Sequence, residues 1–332
     1  MAAAPIASTQ PPDRRPAEWP EGRDDGAWLI LAITGLLIAL LQWIDPFTLS
    51  LRSLAGPVGF ALLLGALACY YHVLRPVPAI QAMLTGLALM LLFSAIGASL
   101  SYMIAARGGP LWDDQLARWD GAIGLDWLGW MHWLDAHPLL ATLLNLAYRT
   151  LIPQMIALIL LLGFCHQLAA LRIVMQAAML AGLCVILLSG LLPAIGTYTH
   201  FGLSPSDYPN LRPAAPYLHI ADLNGLRDGS FRALTLDRLQ GIITFPSYHG
   251  ALAMVFGWGF SRATIRAVRW IGTTLALLTL IATPVDGGHY FSDVIAGALI
   301  AAASLWIARR TVHWTIRPRF HRKGLSGTLS PA

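Results

Sequence analysis

The chain has 332 residues, of which only 12% are charged and 56% hydrophobic, about half the ~25% charged content of an ordinary soluble domain. Its net charge of +5 does not mark a nucleic-acid binder, because the arginines lie between apolar runs rather than on one basic face. Lysine occurs once, at Lys323, which excludes lysine-dependent chemistry from the body of the chain.

Residues 1–26, rich in Ala, Pro, Arg and Asp, read as a disordered cytoplasmic tail. Apolar runs able to cross a bilayer follow at about 27–44, 57–74, 80–105, 138–164, 170–196, 247–262, 268–285 and 289–308. These eight spans predict an all-α fold, a polytopic membrane helical bundle forming one integral membrane domain over 27–309, with a basic cytoplasmic tail over 310–332. The first run lacks a small-residue cleavage site and exceeds a signal h-region, so it is read as a span that stays. The sixth is short, and at 1.5 Å per residue reaches only ~24 Å, which suits a helix starting below the membrane surface. Cys69, Cys165 and Cys184 sit in or beside spans without metal-like spacing and are expected to be buried packing thiols.

Between the third and fourth spans, residues 111–135 have a different character. Trp112, Leu116, Trp119 and Ile123 recur at helical spacing, with Asp113, Asp114, Arg118 and Asp120 expected on the opposite side. Five tryptophans make this an interfacial amphipathic helix in the headgroup layer that shapes lipid entry. With the N-terminus in the cytoplasm, fourteen Arg and Lys fall in cytoplasmic segments and seven in outer ones. That bias predicts cytoplasmic termini and chemistry on the outer, periplasmic face of a bacterial-type inner membrane. The polar, proline-rich residues 197–240 are expected to cover the site and select the acceptor.

Two motifs carry the chemistry. In Gly287-Gly288-His289-Tyr290-Phe291-Ser292-Asp293, the aspartate lies four residues after the histidine, on one helical face. A carboxylate on one ring nitrogen sets the tautomer and frees the other to attack, so His289 is the candidate nucleophile and Asp293 its orienter. In Thr244-Phe245-Pro246-Ser247-Tyr248-His249-Gly250, Ser247 can cap the helix whose free amides form an anion site. His249 there is the candidate general acid for a departing alkoxide, and later the base. Ser247, Tyr248 and Gly288 are expected to line the phosphate. Each histidine alone is as easily a structural cap; two of them across one short hairpin point to phosphoryl transfer.

The order Phe245-Pro246-Ser247-Tyr248-His249, then Gly288-His289-Tyr290-Phe291-Ser292-Asp293, resembles the type 2 phosphatidic acid phosphatase superfamily. Leu226-Arg227-Asp228-Gly229 and the run Leu111–Trp127 look most like its inositol phosphorylceramide synthase (inositolphosphotransferase) branch. The resemblance covers roughly 100–305 and implies a six-helix phosphatase-like core, a lipid phosphate substrate among membrane lipids, and the same roles for His289 and His249. The chain departs from the better-known phosphatases in having Tyr148-Arg149-Thr150-Leu151-Ile152-Pro153 at the early Lys/Arg/Pro motif, and Thr283 where an arginine precedes the nucleophile. Phosphate charge is therefore assigned to Arg227 first and Arg149 second, with Tyr148 a further hydroxyl donor. The remaining histidines lack metal-ligand spacing with a third donor, so no metal and no other cofactor is expected. The acceptor is water in a phosphatase, or an alcohol or lipid hydroxyl in a phosphotransferase. The contrasting reading is a non-catalytic lipid-binding or transport protein, disfavoured because spans 27–44 and 57–74 are nearly free of polar residues.

Overall fold

The computed structural model describes residues 24–316 other than 205 and 214. Most of the two tails read from the sequence, over 1–26 and 310–332, lies outside the described residues. Thirteen helices follow in chain order among them: α1 Asp25–Ile44, α2 Leu51–Val73, α3 Pro78–Ala105, α4 Asp113–Ala122, α5 Trp127–Asp135, α6 Pro138–Arg149, α7 Leu151–Phe164, α8 Leu168–Leu191, α9 Thr197–His200, α10 Ile220–Asp228, α11 Tyr248–Ser261, α12 Arg266–Asp286 and α13 Phe291–Ile316. The sheet content is a two-residue parallel bridge, Thr48–Leu49 with Ala233–Leu234. The fold is an all-α membrane bundle.

Six helices (α1, α2, α3, α8, α12 and α13) are long and apolar enough to cross a bilayer, and α6 with α7, bent by 56° at their junction, has the length and hydropathy for a seventh. The remaining expected span, 247–262, is the 14-residue α11. It reaches about 21 Å, shorter than a bilayer core, as expected of a helix that starts below the membrane surface, and its core-facing side is enclosed by α8, α12 and α13. The chain is an integral membrane protein.

α8 stands at the centre. Its residues are apolar on nearly every side, and Ala177, Ala178, Ala181 and Gly182 let its neighbours approach closely. A Cβ on Gly182 would meet the rings of Phe93 in α3 and Tyr248 in α11. Lipid tails are as apolar as leucine, so contact of this kind, more than water exclusion, holds spans together. The polar groups on α8 are matched: Arg172 lies 3.3 Å from Asp24, and the Gln176 amide donates to Thr311 at 2.8 Å. α1 and α2 are peripheral and leave most of their surface exposed.

Three sequence expectations change. The 138–164 run breaks at Thr150 because Pro153 supplies no N–H for the Arg149 carbonyl four residues back. Side chains satisfy the neighbouring carbonyl of Ala147, which accepts from Thr150 at 2.7 Å and from Thr279 at 3.1 Å. α2 begins at Leu51 rather than 57, since Ser50 caps it by accepting from the Ser53 amide, and Pro57 is carried inside the helix. The thiols are not buried: Cys69 is exposed on α2, and Cys165 and Cys184 are half-buried. A surface facing lipid suits a thiol as well as a protein core does, which explains why hydropathy does not separate the two cases.

Near the motifs α11 and α13 approach each other closely. A Cβ on Gly297 would run into the carbonyl of Ser247, and one on Gly250 would sit 3.3 Å from Val294. Gly297→Val is expected to destabilise the protein by about 1–3 kcal/mol through overpacking, whereas Gly35→Ala, inside α1 with a Cβ that meets nothing, raises stability by up to about 1 kcal/mol through helix propensity. Thermal unfolding in detergent measures the difference.

Candidate active site

The link between α12 and α13, Gly287 to Tyr290, carries His289. Its Nδ1 lies 2.7 Å from the carbonyl oxygen of Thr244 and 3.3 Å from Oδ2 of Asp293. A carbonyl only accepts, so Nδ1 carries the proton and Nε2 keeps the lone pair. The nearer orienting partner is thus the Thr244 backbone. Asp293 is fully buried in the first turn of α13; Oδ2 also accepts from the Tyr290 amide at 2.9 Å, and Oδ1 has no hydrogen-bond partner among the described residues. Gly288 takes a positive φ of 69°, and its outer side is covered by Pro216 and Tyr198. Its carbonyl accepts from the Thr197 amide at 3.0 Å. Residues of the 197–240 segment therefore lie over the histidine link.

The second motif meets the first directly. Ser247 caps α11, its hydroxyl accepting from the Gly250 amide at 3.2 Å, while its own amide donates to the Asp293 carbonyl at 3.0 Å. The His249 ring stacks on Tyr148 with centroids 4.5 Å apart and planes 11° from parallel. It has no hydrogen-bond partner among the described residues and lies close enough to His289 for their charges to interact. The Tyr148 hydroxyl and the His289 ring both border the space beside Gly287, where a Cβ would touch each of them. Tyr248 instead faces α8, its hydroxyl donating to the Ala178 carbonyl at 3.1 Å.

The two arginines are placed differently. Arg149 ends α6, and its Nε donates to Asn145 Oδ1 at 2.8 Å; the Asn145 amide in turn donates to Asp286, which immediately precedes the histidine link. Arg149 is otherwise exposed beside Tyr148. Arg227, in the last turn of α10, donates from Nη2 to the Gly109 carbonyl at 2.7 Å, and its buried Nη1 has no partner among the described residues. No contact joins Arg227 to either histidine.

In the 111–135 segment Trp119 and Ile123 stay exposed, and the departure from expectation is that Asp113 and Asp120 turn inward while Asp114 and Arg118 remain outside. The segment forms two helices around Gly124, and Leu116 faces inward with the two buried aspartates. Both carboxylates hold the histidine link. Asp120 accepts from the Phe291 and Ser292 amides at 2.8 and 2.7 Å, filling the acceptor role at the start of α13. Asp113 accepts from the Ile195 and Gly196 amides and from the Tyr290 hydroxyl at 3.0 Å. From α5, the Trp127 indole donates to the carbonyls of Pro284 and His289. His219 was not singled out from the sequence. It is buried beside the link, its Nε2 3.1 Å from the Ile195 carbonyl; burial, followed by the nearby His289, holds it below the ordinary histidine range. Among the described residues no group of His, Cys, Asp or Glu is arranged to hold a metal ion.

The PAP2 superfamily matches this chain over residues 114–307, a stretch that begins in α4, includes both histidine motifs and ends in α13. The chain belongs to the PAP2 superfamily, a class of phosphatase-type enzymes acting on lipid phosphates. No curated protein matches it, and no solved structure does.

Asp120→Ala strips the acceptor from two amides at the buried start of α13. The expected loss is about 1–3 kcal/mol, with Asp120→Asn recovering part of it because one acceptor oxygen remains. Thermal unfolding of the three proteins checks the order.

Proposed function

We propose that this chain is a metal-independent lipid-phosphate phosphatase or phosphotransferase working through a phosphohistidine at His289. The observation that carries the reading is the Nδ1 contact to the Thr244 carbonyl, which leaves Nε2 as the attacking atom. Nε2 bonds to phosphorus and the ester P–O bond breaks; His249 gives its proton to the departing alkoxide. The buried carboxylate of Asp293 stabilises the positive ring that results. An acceptor hydroxyl then gives its proton to His249 and attacks phosphorus, and the P–N bond breaks to restore His289. With water the product is inorganic phosphate; with a lipid or polyol hydroxyl it is a new phosphoester. The likeness of 111–127 and 226–229 to the inositol phosphorylceramide synthase branch supports the second acceptor. Ser247 and Gly288 line the phosphate, Arg149 meets its charge at the mouth beside Tyr148, and Arg227 approaches from the covering segment. The site opens on the outer face of the membrane, as the arginine bias supports.

The test is phosphate release, and transfer to added alcohols, from a panel of lipid phosphates by detergent-purified protein in the presence of chelator. Wild type is expected to turn over and to form an acid-labile phosphoenzyme, and His289→Ala to do neither. A phosphoenzyme that persists in His289→Ala sinks the proposal. Asp293→Asn removes a charged partner worth about 1.5–3 kcal/mol, so kcat should fall roughly 10- to 100-fold with KM little changed. Arg149→Ala and Arg227→Ala are read separately through KM, and an unchanged KM in both removes the arginines from the phosphate site.

A further inference from the structure

A crevice among the described residues lies away from the histidines. It runs between α11, α12 and α13 toward the opposite end of the bundle, with a volume of about 570 Å³, within the usual range of small-ligand sites. Ala253 and Gly257 of α11 form its floor, Ala276 and Leu277 of α12 one wall, and Ala302 and Trp306 of α13 the other. Small side chains, Ala253 and Gly257 on α11, Thr273 and Ala276 on α12 and Ala302 on α13, leave a slot along the helices.

Cations surround the end of this slot marked by Ser261 and Arg309. The Arg262 guanidinium lies 4.8 Å over the Trp258 ring and that of Arg310 lies 5.2 Å over Trp306, and both tryptophans line the slot. Such stacking holds a guanidinium without neutralising it. No aspartate or glutamate occurs over residues 254–285 or 294–316, and Arg262, Arg309 and Arg310 have no carboxylate partner among the described residues. Asp24 and Asp25 stand at the same end, where α1 begins, and Asp24 pairs with Arg172. An apolar slot ending in guanidinium groups that have no carboxylate partner among the described residues is complementary to an acyl chain joined to a phosphate diester.

We infer that this crevice binds an anionic phospholipid, with an acyl chain along the slot and its phosphate between Arg309 and Arg262. The lipid belongs to the leaflet opposite the histidines, so it is not the molecule turned over, and the inference is independent of the catalytic reading. Two arginines near a membrane surface favour an anionic over a zwitterionic headgroup by roughly thirty-fold.

Native mass spectrometry of the detergent-purified chain, with phosphatidylglycerol or phosphatidylcholine of identical acyl chains, tests this. The expected result is one phosphatidylglycerol retained at least about tenfold more tightly than phosphatidylcholine. Arg262→Gln with Arg309→Gln should abolish that preference, and Ala302→Phe, which fills the slot, should abolish retention. Leu277→Trp fills it from the other wall and serves if Ala302→Phe does not fold. Equal retention of the two lipids, or wild-type retention by a folded slot-filling variant, overturns the inference. Displacement of phosphatidylglycerol by glycerol phosphate at equal concentration overturns it too, since that marks a phosphate site with no role for the slot.

Discussion

One hydrogen bond organises this site. In the proposed reaction an imidazole attacks phosphorus through one nitrogen lone pair while its other nitrogen keeps the proton, and the Thr244 carbonyl, 2.7 Å from His289 Nδ1, favours that tautomer. That carbonyl belongs to the segment leading into α11, three residues before the capping Ser247. Its position depends on α11 lying against α13, which Gly250 and Gly297 permit. The histidine at the end of one hairpin is set by the backbone at the start of the other. This coupling makes the two motifs a single object.

The second constraint is that the link carrying His289 leaves regular helix inside a packed, largely apolar body, where an unsatisfied amide or carbonyl costs several kcal/mol. α4 and α5 answer it. Asp120 takes the first amides of α13, Asp113 takes the amides of Ile195 and Gly196, and the Trp127 indole serves two carbonyls. The bend between α6 and α7 follows the same rule, since Thr150, Gln154 and Thr279 gather on the Ala147 carbonyl next to the break. The bend also brings Tyr148 against His249. Polar side chains that look misplaced in an apolar chain thus sit where the backbone departs from a straight helix.

Apolar length made most spans legible, because a bilayer demands long uninterrupted helices and the chain supplies them. The i,i+4 spacing of His289 and Asp293 was legible for a similar reason: one helical turn brings them together whatever else the chain does. The Ser247 cap was legible from residue type and position. Less visible was the inward turn of Asp113 and Asp120. Hydropathy places carboxylates toward water, and only an orphaned helix start across 171 residues of chain separation reverses that preference. The same holds for Cys69, whose apolar neighbours in sequence predict burial although its helix lies at the rim of the bundle.

What the sequence by itself determined is therefore local or averaged: an all-helical membrane chain, where its spans lie, and two histidine motifs at helix starts with a carboxylate one turn from the second. Each follows from periodicity, length or a fixed residue spacing, which a chain cannot hide. The tertiary structure alone decided which atom orients His289, because a backbone carbonyl is present at every residue and carries no signal of its own. It also decided that the acidic helix α4 clamps the link, that Tyr148 rather than Tyr248 stands beside His249, and that a cation-rimmed crevice opens at the far end of the bundle. All of these depend on which helices become neighbours, and that is set by the packing of small residues on facing surfaces rather than by any single segment.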